Sequence, residues 1–213
     1  ENGCKTSHTV HINAAPSAIS FTATPVQPTC FGDKGSVTLS TPTGGTGTIS
    51  FDGTATTNLG EGDYTYTATD ANGCKTSHTV HINAAPSAIS FTATPTQPSC
   101  SDGNGKVVLS TPTGGTGTIT FDGTPTTELT EGDYTYTATD ENGCKTSHTV
   151  HINAAPSAIS FTATPVQPTC FGDKGSVTLS TPTGGTGTIS FDGTATTNLG
   201  EGDYTYTATD ENG

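Results

Sequence analysis

Residues 1–70 recur unchanged at 141–210, and residues 71–140 differ from them at 13 positions, so the 213-residue chain is three copies of a 70-residue period followed by Glu211, Asn212 and Gly213. Solenoid units of roughly 20–50 residues bury a core only by stacking on neighbours. A period of 70 instead suits a small domain with its own core. Near-identical copies also speak against an enzyme, because one active site suffices for catalysis whereas reach and avidity grow with copy number.

The pattern inside one period is that of short strands. Ile19, Phe21 and Ala23 alternate with polar residues, as do Val37 and Leu39, and Tyr64, Tyr66 and Ala68; each set falls on one face of a strand. A third strand is expected over 48–51, a weaker one over 56–59, and a long one from Cys74 to Asn83. Pro25 and Pro28 are expected to end or kink the first strand. Asp52-Gly53 and Asn72-Gly73 are tight-turn pairs, since Asp, Asn and Gly tolerate positive φ. Six or seven strands in 70 residues predict an all-β fold, a tandem array of small immunoglobulin-like β-sandwich domains.

Ala84-Ala85-Pro86-Ser87 is the natural linker, because Pro86 breaks strand pairing and small residues flank it. On that phase, residues 1–15 form the last strand of a preceding repeat, 16–85 and 86–155 are each one sandwich repeat, and 156–213 is a repeat without its last strand. A rival arrangement has the first strand of one copy completing the last domain of the next, as in donor-strand polymers.

Each period carries two cysteines, Cys4 and Cys30, Cys74 and Cys100, Cys144 and Cys170. No Cys-x-x-Cys or close Cys/His set suits zinc, and a thin core benefits from a covalent staple. Phased on the linker, the pairs are Cys30 with Cys74 and Cys100 with Cys144, 44 residues apart, leaving Cys4 and Cys170 for partners outside this stretch. Pairing at 26 residues instead joins Cys4 with Cys30, Cys74 with Cys100 and Cys144 with Cys170. Either set implies an oxidising, extracellular or cell-surface setting.

The chain has 6 basic and 19 acidic residues, a net charge of −13. It has no arginine to grip phosphate at two points, so nucleic acid is excluded as a partner. The same charge repels anionic lipid, and no apolar run reaches the ~20 residues needed to span a bilayer. The expected partners are further copies of the repeat in cis, copies associating laterally or head to tail, and a surface polysaccharide.

Among candidate sites, His8 and His11, with His78/His81 and His148/His151, stand three apart on a strand and so point to opposite faces, unable to chelate one ion. Asp70 with Asn72, Asp102 with Asn104, and Asp140 with Asn142 put oxygens on tight turns. These are either ordinary turns or ligands for calcium, which wants six to eight oxygens and is the one cofactor considered. No nucleophile elbow, phosphate loop or paired carboxylates stand out, so no catalytic residue is expected. Thr65, Thr67 and Thr69 line a solvent face, where Thr serves either as a good strand residue or as a carbohydrate-binding array. Phe31 and Phe171, with Ser101 at the middle position, are the only variable aromatics.

The run Cys30-Phe31-Gly32-Asp33-Lys34-Gly35-Ser36-Val37-Thr38-Leu39, then Gly44-Gly45-Thr46-Gly47, then Leu59 through Tyr64-Thr65-Tyr66-Thr67-Ala68-Thr69-Asp70-Ala71-Asn72-Gly73-Cys74, resembles the SprB-type repeat. The family's aromatic-rich third strand is here Thr48-Ile49-Ser50-Phe51, and its Gly-Leu is Asn58-Leu59. The resemblance implies very large Bacteroidetes surface adhesins, exported by type IX secretion and used in attachment or gliding motility. It favours a Cys30–Cys74 pair, since those residues bracket the motif, and implies no catalytic residue.

Overall fold

The computed structural model describes residues 2–213, and they form an all-β structure of short antiparallel strands. The chain divides into two compact units, Glu1–Ala88 with Gly114–Gly117, and Ile89–Thr113 with Thr118–Gly213.

In the first unit, β1 (Ala23–Val26) pairs with β2 (Ser36–Leu39) from Ala23↔Leu39 to Val26↔Ser36. A second sheet has the order β3 (Ser50–Phe51), β4 (Gly62–Thr69), β5 (Lys75–Ile82). The β4–β5 hairpin is paired along its whole length, Gly62↔Ile82 to Thr69↔Lys75.

The inward residues of both sheets meet in one core of Ile19, Phe21, Val37, Leu59, Tyr66, Ala68 and Ile82. Phe21 stands edge-on to Phe51, ring centroids 5.0 Å apart, and to the His78 imidazole at 4.7 Å. The buried Tyr66 hydroxyl donates to the Ala55 carbonyl at 2.7 Å, so its polar end is satisfied inside the core.

The second unit repeats this pattern. Strands β6 (Ala93–Thr96) and β7 (Lys106–Leu109) pair, and β8 (Thr120–Phe121), β9 (Gly132–Thr139) and β10 (Lys145–Ile152) form a three-stranded sheet. The β9–β10 register is that of β4–β5 moved by one period. The third copy contributes β11 (Ala163–Val166) with β12 (Ser176–Leu179), and β13 (Ser190–Phe191) with β14 (Ala208–Thr209).

Two strand expectations are corrected. Pro25 does not end its strand but lies within β1 opposite Val37. An edge strand tolerates this because the missing N–H faces away from the only partner. The segment 56–59 is not a strand: it touches β2 through the single bridge Gly35↔Leu59 and the bond from Val37 N to Thr56 O. Asn58 has φ 58°, a left-handed step that breaks the extended run.

Candidate functional site

Two poles organise the first unit. At one, the β4–β5 turn is built on Asp70, which is nearly buried. Its Oδ1 accepts from Asn72 N and Cys74 N at 3.0 and 2.8 Å, and its Oδ2 accepts from Thr46 N at 2.8 Å. At the other pole, the Gln27 amide clamps the end of β5. Its Nε2 donates to His81 O at 2.9 Å and its Oε1 accepts from Asn83 N at 2.8 Å. Gln97 repeats the clamp on His151 O and Asn153 N. Sequence reading passed over this residue, because a lone glutamine between two prolines carries no periodic signal.

The cysteines sit at these poles. Cys74 follows the hairpin turn, whereas Cys30 belongs to the loop after Gln27, whose amide of residue 30 donates to Asp33 Oδ2 at 2.8 Å. Cys30 and Cys144 are disulfide-bonded, and Cys4, Cys74, Cys100 and Cys170 are exposed free thiols. The expected pairs Cys30–Cys74 and Cys100–Cys144 are therefore not formed, nor is the 26-residue set. Within one repeat the reason is distance. The seven residue steps from Lys75 to Ile82 separate the poles by roughly 23 Å, whereas bridged cysteines keep their Cα atoms within about 7 Å. A disulfide of any pairing remains compatible with an oxidising, extracellular setting.

The histidines separate as a strand requires: His78 meets Phe21 edge-on, while His81 Nδ1 meets Asp63 Oδ1 at 2.7 Å on the exposed side. His8 and His11 are exposed. Of the turn oxygens, those of Asp70 are occupied by backbone amides, and Asn104 Nδ2 donates to Glu128 Oε2 at 3.0 Å. Asp102 is exposed, and Asp140 holds the Asn142 and Cys144 amides as Asp70 does. Among the described residues no three His, Cys, Asp or Glu side chains gather to hold a metal. The threonine face is committed to itself: Thr65 and Thr79 hydroxyls lie 2.7 Å apart, Thr67 and Ser77 2.9 Å. Phe31 and Phe171 are exposed on their loops.

The third copy holds an open cradle. A cavity of about 550 Å³ is lined by Pro165, Val166, Gly175, Val177, Leu199 and Tyr204, among others. In the first unit the matching place is taken by Ile82, whose Cγ2 lies 2.6 Å from where a Gly35 Cβ would stand, and Ile152 does the same at Gly105. No cysteine motif or acidic run points to this site; it follows from the strand register alone.

The turn aspartates give the fold an acid sensitivity. Burial pushes the Asp70 carboxyl up, but the amides of Cys74, Thr46 and Asn72 together outweigh it and hold the group below its ordinary 3.8. Asp52 is held down chiefly by its bonds with Thr54 and further by those with Thr67. A folded value below the unfolded one means stability that is complete above the ordinary value and is lost as pH falls through it. The melting temperature is accordingly expected to be level from pH 7 to about 5 and to drop below about 4. Asp52→Asn and Asp70→Asn should each flatten the drop, as circular dichroism melts across pH would show.

Comparison with known proteins found no matching family model, no matching curated relative and no matching solved structure. No helix of the described residues is long and apolar enough to cross a membrane.

Proposed function

We propose that this chain is part of the stalk or filament of a large secreted cell-surface adhesin. In this reading it is an array of small immunoglobulin-like sandwiches that gives reach and mechanical resilience for attachment or gliding. The observation that carries the reading is the reuse of one scaffold. The eight-pair β4–β5 ladder, its Asp70 turn and its Gln27 clamp recur at β9–β10, Asp140 and Gln97. Evolving a ligand site favours variation at one copy, whereas a load-bearing array favours copies that are equally strong.

Each core closes between two sheets and is expected to unfold cooperatively, which suits a tether that yields in discrete steps. Single-molecule pulling on the chain is expected to give discrete high-force unfolding events. Smooth extension at low force would overturn the stalk reading.

Exposed Phe31 and Phe171 favour a second reading, an adhesive module that stacks these rings on a surface polysaccharide, with calcium as a further candidate ligand. A glycan-array signal abolished by Phe31→Ala with Phe171→Ala would select that module over the stalk.

A further inference from the structure

We propose that the second repeat carries a sugar-binding site at the pole of the Gln97 clamp, a cavity that takes an amine-bearing hexose unit of a surface polysaccharide. This deepens the adhesive reading and rests on it only for the use of the site in attachment, since neither Phe31 nor Phe171 lines the cavity.

The first sign of the site is where the copies differ. Ten of the 13 positions at which residues 71–140 depart from 1–70 fall within 96–108 and 128–130, under a quarter of the period. The seven buried core residues, by contrast, are the same in both units. The two varied segments meet in space, because Gly105 N donates to Leu129 O at 2.7 Å and Leu129 N to Gly105 O at 3.0 Å. A constant scaffold with its changes gathered on loops at one pole is the usual construction of a binding surface.

The changes are also concerted. In the first copy Gly32 takes φ 82° and Asp33 Oδ2 accepts from Cys30 N at 2.8 Å, which closes the loop on itself. Asp102 and Gly103 stand at those places in the second copy, neither with a positive φ. Instead Asn104, in the place of Lys34, donates its Nδ2 to Oε2 of Glu128, in the place of Asn58, at 3.0 Å. Glu128 keeps the left-handed step, φ 55° against 58° for Asn58, and asparagine adopts that region far more readily than glutamate. Two substitutions that bond to each other, one of them in a conformation its residue type disfavours, give the loop a shape of its own.

That shape encloses a cavity of about 320 Å³, the size at which small-ligand pockets begin. Five of its lining residues, 101–104 and 130, are substituted positions. Pro98, Leu129 and Ala154 supply apolar surface, and Asp102, Asn104 and Glu131 supply polar groups. A pyranose asks for this mixture, having a face of C–H groups and a rim of hydroxyls that need partners once desolvated. Charge then selects among sugars. Lys34 and Gly32 give way to Asn104 and Asp102, so the lining loses a cation and gains an anion, and no basic side chain remains in it. A uronic acid is repelled there, whereas an ammonium group is held by charge-assisted hydrogen bonds. The adjoining backbone is already engaged: Gly105 and Leu129 bond to each other, and Gln97 Oε1 accepts from Asn153 N at 2.8 Å. Recognition therefore falls to side chains, which favours a sugar over an extended peptide seeking a free strand edge.

The test titrates the full 213-residue chain with a glucosamine tetramer, its N-acetylated form, a glucuronate tetramer and tetralysine, read by amide chemical shifts. Segments 99–104 and 128–130 differ from the other copies, so their signals can be told apart. The glucosamine tetramer should give saturable shifts confined to 98–104, 129–131 and 153–155, weakened by added salt, and the glucuronate tetramer none. Asp102→Gly, Gly103→Asp, Asn104→Lys, Glu128→Asn and Thr130→Gly together should weaken binding by about tenfold or more. These are the first copy's own residues on the same core, so the variant keeps its fold and its melting temperature. Glu131→Gln alone should cost about fivefold in affinity. No saturable shift with the glucosamine tetramer, a glucuronate or N-acetylated tetramer that binds as well, or affinity unchanged in the five-residue variant would each overturn the proposal. Tighter binding of tetralysine would overturn it in favour of a basic-peptide site. Phe31→Ala with Phe171→Ala should leave these shifts unchanged, and so judges the aromatic reading separately.

Discussion

Replacing Ile82 with alanine is expected to destabilise the first unit by about 2–5 kcal/mol, the range for truncating a fully buried isoleucine. Ile82 is wholly enclosed, packed in the cluster of Ile19, Phe21, Val37, Leu59, Tyr66 and Ala68, and its Cγ2 presses on the space above Gly35. A core this thin has few atoms to relax into the void, which favours the upper part of that range. Ile152→Ala should cost as much in the second unit, where Ile152 fills the same place over Gly105. Ile12→Ala is the internal control. It lies in the same local sequence but is 84% exposed, and should leave a monomer within about 0.5 kcal/mol. Because the chain holds two units, one denaturation curve mixes them. Hydrogen exchange at the β4–β5 and β9–β10 amides reads each separately. Equal losses for Ile82→Ala and Ile12→Ala would show that sequence, not burial, sets the effect.

That contrast also shows what the sequence carries and what it leaves out. Alternation alone identifies Phe21, Val37, Tyr66 and Ala68 as residues of one strand face, because a period of two is a property of each strand by itself. The Asn72-Gly73 turn was equally legible, since it depends on adjacent residues. Pro25 misled because the effect of a missing N–H depends on which side of the strand has a partner, and that is a tertiary fact. Residues 56–59 misled because Asn58 takes a left-handed step that its side chain permits and the polar-apolar pattern does not reveal. The disulfides were the largest gap. Spacings of 44 and 26 residues measure the chain, whereas bonding depends on which pole each cysteine occupies, and an eight-residue hairpin puts the two cysteines of one repeat at opposite poles.

Gly44→Ala is expected to cost about 2–5 kcal/mol, although it adds a single methyl group. Gly44 has φ +76°, where an alanine pays roughly 1–2 kcal/mol in the left-handed region. Its Cβ would stand 2.0 Å from the Ala18 carbonyl oxygen and 2.8 Å from its carbon. These are backbone atoms, so no rotamer change relieves the overlap, and overpacking of this kind adds roughly 1–3 kcal/mol. The contact exists because the chain entering the fold lies directly on this turn: Gly45 N donates to Ser17 O at 2.9 Å, and Ser20 and Thr43 bond to each other in both directions at 2.9 Å. An added methyl must push the entering segment off the turn and disturb the Ile19 and Phe21 side chains that follow it. Gly53→Ala separates the two contributions. Gly53 has φ +82° with nothing within 4 Å of its Cβ, so it should lose only the conformational part, roughly 1–2 kcal/mol. Exchange rates of the Ser20 and Thr43 amides decide between them. They should rise steeply in Gly44→Ala and little in Gly53→Ala, and equal rises would mean that backbone conformation, not the close approach, is what the glycine at 44 serves.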